Sequence, residues 1–109
     1  MNIQHQGLEE RWKEFSILEQ MANIGSEVER ALNWRAKQNE VYSQKAFERS
    51  LELIDFTLDD RKNSVRFKEI TRVREALVDY FTGENEYGST EASWRKYFLE
   101  FAFAARRNT

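Results

Sequence analysis

The chain has 109 residues, a formal net charge of −2, one His, no Cys and no Pro, and this length fits a single domain. The absence of Cys excludes zinc–cysteine sites, iron–sulfur clusters, thiol catalysis and disulfide bonds, and the small net charge gives no overall attraction to nucleic acid or anionic membranes. No apolar run approaches the roughly 20 residues that span a bilayer, and residues 1–10 lack the pattern of a secretory signal, so we expect a cytoplasmic protein.

Long helices are expected, because four Gly and no Pro leave few residues that break a helix. Residues 1–15 are predicted to form an extension or a short helix, and residues 16–109 a single helical domain. The first long helix should cover about 17–37, since Ser16 and Glu19 have the spacing of a capping box. Apolar residues then recur at steps of three and four, which is the pattern of one buried helix face.

The weak point of this helix is Gly25-Ser26, since Ser26 and Glu29 have the spacing of a second capping box. A helix break at this point is the alternative. The apolar stripe keeps its phase across Gly25, however, so we favour a continuous helix in which the glycine allows a neighbouring element to approach closely.

Three further amphipathic helices follow in the sequence. The positions expected to start or end them are, in chain order, Asn39 to Ser43, a polar turn at 59–63, Asn63 or Ser64, Gly83, and Ser89 or Thr90. Their buried faces are expected to contain Phe47, Leu51, Ile54 and Leu58, then Phe67, Ile70, Val73, Leu77, Tyr80 and Phe81, then Trp94, Tyr97, Phe98, Phe101 and Ala105. Four amphipathic helices with mostly short connections predict an all-α fold, an antiparallel four-helix bundle.

The acidic residues show no complete catalytic or metal-binding motif. Glu52 and Asp55 have the E-x-x-D spacing of helical magnesium pyrophosphohydrolases, but the second acidic pair that those enzymes need on a facing helix is absent. His5 has no Arg before it, so the Arg/His chemistry of RNA-cutting HEPN bundles is absent too, and the chain contains no Gly-rich phosphate loop. We therefore expect a protein that is not an enzyme, with no catalytic residue, cofactor or metal site.

A basic cluster lies between residues 61 and 74, where six Lys and Arg accompany one Glu. Arg61, Lys68 and Arg72 fall on one side of a helix at about 100° per residue, and such a stripe can follow a phosphate backbone. Acidic residues follow closely, and few aromatic residues share the stripe to stack on bases. A solvated, charge-paired face is the main interpretation. A nucleic-acid or nucleotide-binding bundle, HEPN-like in shape, is the alternative.

Arg74 lies on the apolar line of the third predicted helix, where a charge is costly unless it is paired. We predict that it is at least partly buried against a carboxylate from another helix or from the loop that contains Glu84 and Glu86. A bundle-locking ion pair is the main interpretation, and a ligand anchor is the alternative. Arg35 also continues an apolar stripe, but it lies near a helix end and can extend to solvent.

The one obvious loop carries four candidate binding residues, Glu84, Asn85, Glu86 and Tyr87. Loops on rigid scaffolds often bind ligands, and this loop ends at a helix N-terminus whose amides can bind an anion. The alternative is a helix-capping turn without a binding role, in which Asn85 and Gly88 satisfy the backbone geometry.

Several large apolar residues lie off the predicted core stripes, namely Trp34, Phe56, Leu99 and Phe103. Single exposed apolar residues are ordinary, but several together indicate a second apolar surface for a dimer or a partner protein. Phe103, with Leu99 near it, is the best candidate for such a contact.

Four segments of the sequence carry a resemblance to other proteins, namely NIGSEVERA at 23–31, AFERSLEL at 46–53, RVREALVDYF at 72–81 and NEYGS at 85–89. They resemble a small family of bacterial all-helical proteins of unknown function, over about residues 16–106. The resemblance implies a single helical domain with a continuous first helix, and it carries no activity, cofactor or catalytic residue. We therefore expect a non-enzymatic helical bundle that acts in protein–protein interaction or self-association, with a second copy or another protein as its partner and without membrane contact.

Overall fold

The computed structural model of the protein describes residues 3–107, and over these residues it contains helices and no strand. The helices are, in chain order, α1 (Ile3–Trp12), α2 (Ile17–Ala36), α3 (Glu40–Asp59), a 3-10 segment (Arg61–Arg66), α4 (Phe67–Thr82) and α5 (Glu91–Arg107). The predicted all-α helical bundle is confirmed, and α1 is the short helix expected before residue 16. Residues 1–2 and 108–109, and the side chain of His5, lie outside the described part of the chain.

Helix α2 is a single helix through Gly25, as the phase of its apolar stripe predicts. It starts with the expected capping box, in which Glu19 N–H donates to Ser16 Oγ at 3.2 Å and Ser16 N–H donates to Glu19 Oε1 at 3.0 Å. Gly25 is buried, and a Cβ atom at this position would lie 2.6 Å from Cβ of Phe98 in α5. The missing side chain therefore allows α5 to pack closely on α2.

The core is built around α2, which packs against both α3 and α5, while α4 packs against α3. The largest fully buried hydrophobic side chains come from three helices and are Met21, Ile24, Val28, Ile54, Ile70 and Leu77. Helix α5 adds Trp94 and Phe98 to this core. In the part of the chain that the structure describes, no helix has both the length and the apolar character needed to cross a membrane.

The segment before α4 differs from the sequence prediction. A 3-10 helix covers Arg61–Arg66, and α4 starts only at Phe67. Neither Asn63 nor Ser64 caps α4, because the helix starts only after Arg66, which stands at the N-cap position without a side-chain cap bond. The side chain of Asn63 is buried and donates to the Gln20 side chain on α2 and to the Thr57 carbonyl on α3, both at 2.9 Å. The residue that the sequence assigned to a cap is therefore held in the interior instead.

Two aromatic residues lie elsewhere than predicted. Phe67 was expected on the buried face of its helix but is 52% exposed, because it is the first residue of α4 and the helix reaches the core only at Ile70. Phe56 was expected off the core stripe but is half-buried against the core. Helix α3 packs on both α2 and α4, so a wider face of it is covered than one stripe predicts.

Candidate interaction surfaces

The outer face of α5 carries two large apolar side chains on successive turns. Leu99 is 51% exposed and Phe103 is 53% exposed, and residues four apart are neighbours on a helix surface. Trp94 and Phe98 lie on the opposite, buried face. The structure thus places both residues on the outer side of the helix, as their sequence positions predict. We call Leu99 and Phe103 the α5 ridge.

A groove of about 430 Å³ lies between α2 and α5 beside the α5 ridge, and Leu99 lines it. Small residues form much of its lining, among them Ala22, Gly25 and Ala102. The hydroxyl of Ser26, which also lines the groove, donates to the carbonyl of Ala22 at 3.3 Å, so its polarity is satisfied within α2. Small and apolar residues therefore line the groove together with the charged side chains of Glu29, Arg95, Lys96 and Arg106, a mixture that suits an amphipathic helix.

One rim of the groove is held by Arg95, which connects α5 to α2. Its Nη1 donates to Glu29 Oε1 and its Nη2 donates to Asn33 Oδ1, both at 2.9 Å. A further bond to Glu91 Oε1 at 2.9 Å fixes the guanidinium along its own helix. These bonds order the rim, although pairs this exposed contribute little to stability.

Arg74 is paired with a carboxylate from another helix, as predicted. Its Nε donates to Asp55 Oδ1 at 2.8 Å and its Nη2 to Asp55 Oδ2 at 3.2 Å, and the side chain is partly buried. The hydrogen bond with Asp55 raises the pKa of Arg74, against a smaller opposing effect of burial. The partner comes from α3 and not from the loop, and no ligand is needed to satisfy the charge.

The acidic pair that resembled a magnesium motif is thereby used within the protein. Asp55 binds Arg74, and Glu52 accepts from Arg49 at 3.0 Å. Among the described residues, no group of three His, Asp or Glu side chains converges as metal ligands.

The loop that contains the four candidate residues has the geometry of a capping turn. Asp79, near the end of α4, accepts from the backbone amides of Glu86 at 2.8 Å and Tyr87 at 3.0 Å. The Asn85 side chain accepts from the Ser89 amide and donates to the Ser89 carbonyl, both at 2.9 Å. Asn85 and Gly88 have positive φ angles of 56° and 67°, which these residue types adopt most readily.

Little in this loop is left to bind a ligand. Tyr87 Oη donates to Glu75 Oε2 at 2.9 Å, and this bond raises the pKa of Tyr87. Thr90 and Ser93 cap α5 reciprocally, with Ser93 N–H donating to Thr90 Oγ1 and Thr90 N–H donating to Ser93 Oγ, both at 2.9 Å. Glu84 is exposed and contributes nothing to this geometry. An anion would have to displace the Thr90 hydroxyl from the first turn of α5.

The three residues of the predicted basic stripe do not share one α-helix. Arg61 belongs to the 3-10 segment, while Lys68 and Arg72 belong to α4, because α4 starts later than the sequence predicts. All three are exposed. Ion pairs occupy their basic neighbours, since Lys62 binds Asp60 and Arg66 binds Glu69. Those pairs fit the predicted charge-paired face, but Arg61, Lys68 and Arg72 do not take part in them.

A buried polar network behind the 3-10 segment was not anticipated from the sequence. Gln20 is fully buried, and its amide donates to the Trp12 carbonyl at 2.9 Å and to Asp60 Oδ2 at 3.1 Å. Its carbonyl oxygen accepts from Asn63 at 2.9 Å. Trp12 Nε1 donates in turn to Thr57 Oγ1 at 2.8 Å. The available signal was that Gln20 and Thr57 stand at core positions of their helical stripes.

Ionisation of Asp60 is set by this network. Burial raises the pKa of Asp60, but the hydrogen bonds from Lys62 and Gln20 together outweigh it, and the resulting pKa lies below the ordinary value. The network therefore holds a carboxylate in its charged form at the start of the 3-10 segment.

Trp34 and Arg35 both contact aromatic rings. Trp34 is half-buried and meets the ring of Tyr42 edge to face, with centroids 4.9 Å apart. Arg35 is exposed, as expected near a helix end, and its guanidinium lies 4.9 Å from the ring centroid of Tyr80 and 5.6 Å from that of Phe81. The contact with Tyr42 covers part of the Trp34 ring, which leaves less of it exposed to a partner.

No family model, curated protein or solved structure matches the chain. The resemblance to a bacterial helical family therefore stays an expectation from the sequence.

Proposed function

We propose that the protein is a non-enzymatic interaction module that binds an amphipathic helix on the α5 ridge and the adjacent α2/α5 groove. The observation that carries the proposal is the pair Leu99 and Phe103, two half-exposed large apolar side chains on successive turns beside that groove. Helices dock in such grooves through apolar anchors three and four residues apart.

The size of the apolar contact decides how much of the groove must be used. Covering the exposed halves of Leu99 and Phe103 contributes about 2–3 kcal/mol, whereas a micromolar complex needs about 8 kcal/mol. A partner that touched only the α5 ridge would dissociate readily. A helix that also fills the groove beside Gly25 gains the remaining contact area, so we expect the ridge and the groove to act as one site.

A second copy of the chain is the simplest partner. In an antiparallel two-fold pairing, Leu99 of one copy would lie against Phe103 of the other, and Lys96 would then lie against Arg106 of the other, because both pairs are centred on the same residue. Like charges in this position oppose association, and salt screens them. The affinity of a dimer through this face should therefore rise with salt concentration. The affinity for an acidic partner helix should instead fall with salt concentration.

Analytical ultracentrifugation over a range of concentrations and two salt concentrations tests the proposal. We expect a concentration-dependent mass that Phe103→Glu abolishes and that Val41→Glu, a matched change at an exposed apolar residue of α3, leaves unchanged. If the wild type is monomeric at high micromolar concentration, the same three proteins serve as baits, and a partner identified by mass spectrometry is purified and titrated. Equal behaviour of the wild type and Phe103→Glu in both experiments would exclude the α5 ridge as a binding site.

A further inference from the structure

A second surface lies at the 3-10 segment, away from the α5 ridge. Leu58, Val65 and Phe67 supply apolar side chains to a pocket of about 580 Å³ that Arg61 and Lys68 also line. Val65 is 92% exposed and Phe67 is 52% exposed. We call these five residues the 3-10 pocket. In the sequence, the shortage of aromatic residues beside the basic stripe argued against nucleic-acid binding. The folded chain does place an aromatic ring beside two cations.

The exposure of these side chains is built into the fold. The 3-10 segment is held from behind, where Asn63 donates to Gln20 Oε1 and to the Thr57 carbonyl, both at 2.9 Å. Asp60 Oδ1 accepts from the Lys62 amide at 3.2 Å, which caps the start of the segment. Because the inward side chains are polar and bonded, the apolar side chains of the segment point outward.

The cations of the pocket are available to a ligand. Lys62 and Arg66, which flank them in sequence, are bound to Asp60 and Glu69. Among the described residues, by contrast, Arg61, Lys68 and Arg72 make no ion pair. The surface therefore keeps three cations beyond its internal pairs.

Two carboxylates line the same pocket, those of Asp59 and Asp60. Asp60 is buried and bound to Lys62 and Gln20, whereas Asp59 is exposed and makes no ion pair within the described residues. An anion that covered the whole pocket would be repelled there, whereas a ligand with a hydrogen-bond donor next to its anionic groups would be bound by it.

We propose that the 3-10 pocket binds single-stranded nucleic acid. A base stacks on Phe67, the adjoining phosphates contact Arg61 and Lys68, and Arg72 extends the contact along α4. A nucleotide unit joins a flat apolar ring and a donor-bearing edge to an anion, which is the combination of groups this pocket offers. Charge complementarity favours this ligand over a bilayer, because a single strand can place its phosphates against Arg61 and Lys68 and away from Asp59, whereas a continuous anionic surface would cover all three. This site is independent of the proposed helix-binding surface.

Fluorescence anisotropy with a labelled single-stranded oligonucleotide of about 12 nucleotides, of DNA and of RNA, tests the proposal. Three phosphate contacts predict a slope of log K against log salt of about −2, so binding should weaken about fourfold for each doubling of salt. We expect Phe67→Leu and Lys68→Glu each to weaken binding about tenfold, and Phe67→Tyr, which keeps the ring, to retain it.

An aromatic residue and a cation that lie beside each other on another part of the surface provide matched controls. Lys45 Nζ lies 5.8 Å from the ring centroid of the exposed Tyr42, so Tyr42→Leu and Lys45→Glu repeat the two kinds of change outside the pocket. Both should change affinity less than twofold, by about the scatter expected of distant surface substitutions.

Three outcomes would overturn the proposal. One is absence of oligonucleotide binding at low salt. Another is an equal loss of affinity in the Tyr42 and Lys45 controls, which would show attraction by general charge. The third is binding to vesicles of anionic phospholipid, or to a polyglutamate peptide, that depends on Phe67 and is tighter than binding to the oligonucleotide. Circular dichroism confirms that each variant is folded, which we expect because Phe67 and Lys68 are exposed.

Discussion

Gly25 lies at a close contact between α2 and α5. Replacing it by Ala adds a methyl group 2.6 Å from Cβ of Phe98, and overpacking of this kind costs about 1–3 kcal/mol. Ala also favours a helix over Gly by about 1 kcal/mol, so we predict a net loss of up to about 2 kcal/mol in the free energy of unfolding, measured by urea denaturation. Gly7→Ala in α1, where a Cβ meets no atom within 4 Å, should instead be neutral or stabilising. A stabilised Gly25→Ala would contradict the close contact.

The pairing of Arg74 shows what residue-level reasoning can and cannot supply. The need for a carboxylate followed from a charge on an apolar stripe, and the pair with Asp55 confirms it. The identity of the carboxylate did not follow, because the register of α3 against α4 depends on how two faces pack. The α5 ridge was easier to predict, since Leu99 and Phe103 lie opposite a well-defined buried face of their own helix.

At the level of the element, the 3-10 segment depends on the polar network behind it. Gln20→Leu would remove three hydrogen bonds and leave the Trp12 carbonyl, Asp60 and Asn63 each with one hydrogen bond fewer. Loss of partners by buried polar groups costs about 1–3 kcal/mol, so we predict destabilisation by about 2–3 kcal/mol and faster amide exchange over residues 61–66.

A matched change on the surface separates this effect from the general cost of the substitution. Gln44→Leu alters an exposed glutamine of α3 whose side chain bonds only Glu48 among the described contacts, and it should change stability by less than about 0.5 kcal/mol. If the two variants unfold at the same urea concentration, the network does not hold the 3-10 segment.

This element also marks the limit of periodicity as a guide. A stripe with steps of three and four predicted α2, including its passage through Gly25, because a long helix repeats its signal many times. Residues 61–66 give one short polar stretch, and the hydrogen bonds that decide its conformation come from Gln20 and Thr57, far away in sequence. The 3-10 pocket, with Phe67 turned outward, was therefore beyond prediction.

Across the whole molecule, α4 and α5 are linked through a tyrosine. Tyr97 of α5 is half-buried, and its hydroxyl donates to Glu69 Oε2 of α4 at 2.7 Å. Burial and then this hydrogen bond raise the pKa of Tyr97 well above its ordinary value. The phenol therefore stays protonated in the folded protein at a pH where the unfolded chain has already released the proton.

The sign of the resulting pH dependence follows from this difference. Above the ordinary tyrosine pKa of about 10, the unfolded state binds fewer protons than the folded state, so stability falls as pH rises. Below that pH the contribution of Tyr97 is complete. We predict that the urea midpoint falls between about pH 9 and pH 11, and that Tyr97→Phe, which keeps the ring and removes the proton, has a lower midpoint at neutral pH and a shallower fall. Parallel curves for the two proteins would show that the bond between α4 and α5 does not contribute to the stability of the bundle.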